Sequence, residues 1–240
     1  PILFIIVKGI NKELFNILAS TYLWEAIYNT LIICFFSGIA SIFIVYNLLV
    51  LTHKKTKISE SLIYSLIIFS PAVMAVGYYI LLFKLNLMYL PNIIIVIILN
   101  SFFVLPFTYN YLAPSFFRVI KENDDIANSL NLYGLSRFLT IDLPRLKKSL
   151  ITAFCVSSIL SASDLVVISF FGTNNLSTLT QTIYRLMGSY RINEAYSVSL
   201  ILLISFKFLL ASISDCPPDK KAMPVTSLGT FFLRQSNVFF

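Results

Sequence analysis

The feature that most constrains this chain is a series of apolar blocks, each close to the length of a membrane span and each separated from the next by a short polar segment. An α-helix needs about 20 apolar residues to cross a hydrocarbon core roughly 30 Å thick. Residues 26–51, 61–83, 92–113, 149–171 and 195–213 each meet that length, so five complete spans are expected. Residues 1–7 are apolar but too short to span, and read as the cut end of a further membrane helix. The fold class expected is therefore all-α, a polytopic transmembrane helix bundle. Only 12% of the residues are charged and 58% are hydrophobic. Soluble domains carry about 25% charged residues, so an ordinary soluble fold is excluded.

The basic residues fix an orientation. Lys54, Lys55, Lys57, Arg118, Lys121, Arg137, Arg145, Lys147, Lys148, Lys220, Lys221 and Arg234 fall on one side of the expected spans. Lys8, Lys12, Lys84, Arg185 and Arg191 fall on the other. Cytoplasmic loops carry the excess of Lys and Arg, so the first group faces the cytoplasm. The net charge of +7 is spread in short clusters between apolar blocks, a topology signal rather than a nucleic-acid surface.

Between the third and fourth blocks lies the one long polar interruption, residues 114–148. The adjacent acids Asp124 and Asp125 suit a helix start, where a carboxylate complements free N–H groups and the positive dipole end. Ile126 and Leu130, four apart, share a face. Asn131 tolerates the left-handed conformation, so one short helix can end there and a second begin near Ser136. Two short helices with a bend are expected.

Elsewhere, Pro71 predicts a kink in the second span. Asp164 is the one acid deep in an apolar block, and two roles fit it: a gate or pathway residue, or a brace at the outer boundary for the Gly172 loop. A short helix is expected within 176–187. Arg185, Tyr190 and Arg191 lie on the outer side, where they suit either a docking partner or plain interface anchoring. Cys34, Cys155 and Cys216 have no metal-ligand spacing, and His53 sits in a basic turn. No GxxxxGK[ST], HExxH or GxSxG occurs, so no nucleotide-binding loop, metal site or hydrolytic triad is expected. From position 214 the composition shifts to a helix-breaking Cys-Pro-Pro, predicting a disordered tail over 214–240; a tail of foreign or frame-shifted origin fits the same shift.

Two resemblances join these readings. The stretch from Asp125 to Pro144 resembles the cytoplasmic EAA loop of permease subunits of ATP-binding-cassette importers. Asp125, Ile126 and Ala127 stand at the Glu-Ala-Ala positions, Asn131 stands where the Gly belongs, Gly134 follows, and Ile141, Leu143 and Pro144 close the motif. The segment from Ser163 through Gly172, with Thr178, Leu179, Ile183, Tyr184 and the run from Gly188 to Arg191, is similar to the second half of bacterial thiamine importer permeases. The resemblance covers about 1–213 and implies a type I importer permease domain, the second half of a fused permease cut at its start. It implies a coupling loop at 114–148 carrying Asp125, Ile126, Ala127, Leu130, Asn131, Gly134 and Pro144.

It also implies the partners: an ATPase subunit that binds the ATP, a periplasmic substrate-binding protein, the other permease half and the lipid of a bacterial inner membrane, with no cofactor in this chain. Thiamine or its phosphate esters is the implied cargo. Ferric iron, sulfate and molybdate permeases are the nearest alternatives, and a membrane-embedded enzyme built on Asp164 is the remaining class.

Overall fold

A computed structural model of the chain describes residues 2–10, 12–52, 63, 65–66, 70–85, 91–129, 143–172 and 176–214. Among these the regular structure is all helix, with no strand. The elements are α1 (Ile2–Gly9), α2 (Lys12–Leu18), α3 (Thr21–Thr52), α4 (Pro71–Lys84), α5 (Asn92–Ser129), α6 (Leu143–Ser163), α7 (Val166–Phe171), α8 (Leu179–Gly188) and α9 (Ile192–Ser214). The protein is an all-α membrane bundle. Three of the described helices carry stretches long and apolar enough to cross a membrane, Thr21–Leu51, Asn92–Glu122 and Ile192–Leu209.

The centre of the bundle is α3, α5 and α6 packed on one another. In the apolar stretch of α5 56% is buried, against 33% for α3 and 17% for α9, so α5 is the central rod and the other two are more peripheral. Lipid tails are as apolar as leucine, so helices in a membrane associate through close contact and interhelical hydrogen bonds rather than hydrophobic force. The chain follows that logic along a seam of small polar residues. Ser149 Oγ donates to Ser115 Oγ at 2.6 Å, Thr108 Oγ1 to Ser41 Oγ at 3.3 Å, and Ser37 Oγ to Ser161 Oγ at 2.7 Å. Asn100 Nδ2 reaches the same Ser161 Oγ at 3.1 Å. Ser158 Oγ donates to the Cys34 carbonyl at 3.4 Å.

Gly38 marks the closest approach. A Cβ there would lie 3.0 Å from Phe154 Cε2 and 3.0 Å from Ser158 Oγ. Gly38→Leu therefore wedges α3 from α6, at about 1–3 kcal/mol for overpacking. The check is the melting temperature of purified protein in detergent, which should fall, whereas Gly77→Ala, with nothing within 4 Å of its Cβ, should not lower it.

Four expectations are corrected. The acids Asp124 and Asp125 do not start a helix, because α5 continues through them to Ser129. The stretch after Pro114 has no Gly or Pro to stop it, and Phe116 and Val119 bury their side chains against Val45, Leu49 and Leu146. Pro71 does not kink a span: it occupies the first turn of α4, where its missing N–H costs nothing, and Ser70 before it is extended (φ −63°, ψ 137°). The fourth block is not one helix but two, α6 and α7, parted at Asp164 and Leu165. The first span starts at Thr21 rather than Ala26, since Trp24 Nε1 donates to the Leu18 carbonyl at 3.0 Å and ties the start of α3 to the end of α2. The expected helix in 176–187 is α8, shifted to Leu179–Gly188. Of the second block, residues 63, 65 and 66 are helical and α4 follows; His53 and the tail 215–240 lie outside the described residues.

Candidate functional site

The residues singled out in the sequence fall at the two ends of the bundle. At one end, Asp125, Ile126 and Ala127 occupy the last turns of α5, while Leu130, Asn131 and Gly134 lie outside the described residues. Pro144, exposed, is the second residue of α6, where proline is tolerated. The fold brings the two ends of the motif together. Glu122, three residues before Asp125, sits 3.9 Å from Arg145, the residue after Pro144. Both side chains are about half exposed, so the pair adds little energy; what it records is that α5 and α6 leave the bundle side by side. At 38 residues α5 is about 57 Å long at 1.5 Å per residue, well beyond a roughly 30 Å hydrocarbon core, so its last turns project past the bilayer.

At the other end, Asp164 separates α6 from α7. One carboxylate oxygen accepts the Val166 N–H at 3.1 Å and the other the Val167 N–H at 3.2 Å. In an unbroken helix the Val166 N–H would pair with the Ala162 carbonyl; the carboxylate takes that donor and caps α7 instead. In this geometry the Asp164 carboxylate holds the first turn of α7. Asp164→Asn keeps one oxygen acceptor and should cost less than Asp164→Ala, which forfeits both bonds at about 1–2 kcal/mol. Amide hydrogen exchange across 166–171 measures this, and equal protection in wild type and the alanine variant would contradict the capping role.

Tyr190 ends α8 in the left-handed region (φ 59°) with its ring 89% exposed. Glycine is the usual occupant of such a position, so the tyrosine carries a conformational cost of about 1 kcal/mol with no packing in return. Tyr184, Arg185 and Met187 are exposed on the same helix. Arg191 is bound to Glu194, its Nε donating at 2.6 Å. That ion pair lies at the edge of a cleft of about 460 Å³ between α2, α3, α8 and α9, also lined by Glu13, Asn16, Tyr22 and Thr182. Arg185 is not among the lining residues but reaches Tyr22, which is, whereas Tyr190 lies outside the cleft.

Sequence reasoning marked Ser157, Ser158, Ser161 and Ser163 as suited to close packing and hydrogen bonding, but passed over the polar side chains of the first and third blocks. Asn29 Nδ2 donates to the Ser177 carbonyl at 3.3 Å, and Thr30 Oγ1 accepts the Leu179 N–H at 3.0 Å, fastening α3 to the start of α8. The signal was present, since Asn29, Thr30, Ser37, Ser41, Asn100 and Ser101 all interrupt apolar runs. Among the described residues no group of His, Cys, Asp and Glu gathers as metal ligands do.

No family model matches the chain. It is similar to proteins named thiamine transport system permease protein ThiP. The protein from Escherichia coli is 30% identical over 227 residues, which is 90% of this chain and 42% of that protein. The Haemophilus influenzae protein is 28% identical over 222 residues, 89% of this chain and 41% of its own length. That of Brucella abortus is 26% identical over 207 residues, 84% of this chain and 38% of its own length. This chain thus spans about two-fifths of the length of the relatives it matches.

Proposed function

We propose that this chain, a relative of the thiamine transport permeases along nine-tenths of its length, forms one half of the membrane passage of an ATP-driven importer for thiamine or its phosphate esters. The observation that carries the reading is that similarity together with the architecture beneath it, a membrane bundle whose central helix extends past the bilayer and carries Asp125 to Ala127 in its last turns. Transport, not chemistry on a substrate, is the role. The place is the inner membrane, which the chain crosses several times.

In this reading ATP is bound and hydrolysed by a separate ATPase subunit. The loop between α5 and α6 docks on it, with Ile126 and Leu130 as apolar contacts and Pro144 restarting the chain toward the membrane. A rigid element with an apolar face transmits displacement because it cannot slide once buried. The continuity of α5 through Ser129 supports this, since a lever in one piece with a membrane helix moves that helix directly. On the outer side, Arg185, Tyr190 and Arg191 receive the periplasmic substrate-binding protein. Exposed tyrosine, methionine and arginine are the residue types enriched in protein interfaces. The other permease half completes the passage.

The test is uptake of radiolabelled thiamine by cells that lack their own thiamine importer and express this chain with the complementary half, the ATPase and the binding protein. Saturable, ATP-dependent uptake blocked by unlabelled thiamine is expected. Uptake of ferric iron, sulfate or molybdate in its place would assign another cargo, and failure of the chain to co-purify with the ATPase would overturn the importer reading.

A further inference from the structure

The first turn of α8 is a knot of buried polar side chains. Ser177, Thr178, Gln181 and Thr182 are all buried, with relative exposures of 2–6%. Polar groups at such depth are costly unless bonded, so their partners disclose what the turn holds together. Thr178 caps the helix, its side chain accepting the Gln181 N–H at 3.4 Å. Thr30 of α3 donates to the Ala26 carbonyl at 2.6 Å and accepts the Leu179 N–H at 3.0 Å. Gln181 Nε2 donates to the Ile168 carbonyl of α7 at 3.4 Å. Thr180 Oγ1 lies 3.4 Å from the Ala162 carbonyl, 3.4 Å from the Asp164 carbonyl and 3.0 Å from Thr178 Oγ1. The Ala162 carbonyl is the acceptor whose helical donor, the Val166 N–H, is turned toward Asp164. A hydroxyl from α8 answers the break between α6 and α7.

The geometry points to Thr180 as a positioning residue for transport: it ties α8, which carries the exposed Tyr184, Arg185 and Tyr190, to the outer end of α6, whose inner end carries Pro144. With 21 residues α6 is about 32 Å long, enough to run from one membrane face to the other. A load placed on α8 from outside therefore reaches the coupling loop through a single helix. The inference rests on the importer reading, which supplies a binding protein at one end and an ATPase at the other. A merely structural role is separable from it. Leu179, Ile183 and Leu186 of α8 pack with Leu23, Val198 and Ile201, so α8 keeps its apolar seat without the Thr180 hydroxyl.

Two measurements on Thr180→Val and Thr180→Ser test it. In the first, the importer is reconstituted in liposomes from this chain, the complementary half and the ATPase, with thiamine-loaded binding protein outside. Thr180→Val should assemble and hydrolyse ATP at the basal rate, while stimulation by the binding protein falls by about fivefold or more, a typical size for coupling between sites. Thr180→Ser, which keeps the hydroxyl, should restore it. Wild-type stimulation in Thr180→Val, or no rescue by serine, would overturn the inference. In the second, nitroxide labels at Met187→Cys on α8 and Lys147→Cys on α6 report their separation in nanodiscs without any partner. The distance distribution should be narrow in wild type and Thr180→Ser and broad in Thr180→Val; an unchanged width overturns the link. If hydrolysis by the wild-type assembly ignores the loaded binding protein, the importer reading fails, and the label distances still decide whether Thr180 joins the two helices.

Discussion

Replacing Leu130 by glutamate is expected to abolish ATP-driven thiamine uptake while membrane insertion and packing of the spans survive. Position 130 directly follows the last residue of α5, a helix that runs unbroken from Asn92 and projects from the bilayer. In the proposed mechanism Leu130 is buried against the ATPase with Ile126, and an unpaired charge buried in an interface costs roughly 3–5 kcal/mol. At about 1.4 kcal/mol per tenfold, docking weakens by at least a hundredfold. The spans hold together through α3, α5 and α6, within the bilayer, so they do not register the change. Co-purification with the ATPase and vesicle uptake measure the two effects separately. Normal transport by Leu130→Glu would remove the loop from the lever role.

Gly172→Val should have the largest effect on stability of any single glycine substitution in the outer region. Gly172 closes α7, its N–H donating to the Ile168 carbonyl at 2.7 Å. A Cβ there would sit 2.3 Å from that same carbonyl oxygen and 2.8 Å from Gln181 Nε2. Neither neighbour can yield cheaply: one is backbone, and the other is a buried amide whose Nε2 is bonded to the Ile168 carbonyl. Displacing both breaks the helix end and the knot at once, at about 3 kcal/mol or more. Limited proteolysis at the α7 to α8 connection should accelerate, whereas Gly188→Ala, with open space around it, should leave the pattern unchanged.

Much of this architecture was legible in advance because a bilayer leaves few choices. Apolar block length places helices at 26–51, 92–113 and 195–213, and the structure has α3, α5 and α9 there. Boundaries were less legible. Asp124 and Asp125 look like a helix start by local chemistry, yet the packing of Phe116 and Val119 against α3 and α6 carries α5 straight through them. The outer end escaped for the opposite reason. The break at Asp164 is approached by Thr180, sixteen residues away, and the start of α8 is bonded to Thr30, 149 residues away, and no periodicity records partners at such distances. Tyr190 was picked out as an exposed aromatic; its left-handed backbone is visible only in the fold.

The hydroxyl seam between α3, α5 and α6 reverses the usual rule for scoring variants of a membrane helix. On a hydropathy scale, Ser158→Leu and Ser161→Leu are improvements, because each removes a polar group from an apolar segment. Here Ser158 Oγ lies 3.0 Å from where a Gly38 Cβ would stand, and Ser161 Oγ is shared by Ser37 and Asn100, so a leucine has no room to enter and takes the hydroxyl acceptor from both donors. Across this interface the tolerated changes are ordered by size and bonding capacity, with alanine mild and leucine severe. On the outward-facing side of α3, at Ile39 and Phe43, the same leucine is neutral. A mutational scan of one helix would therefore show two opposite preferences alternating with the helical repeat, and their phase would report which face of α3 meets protein and which meets lipid.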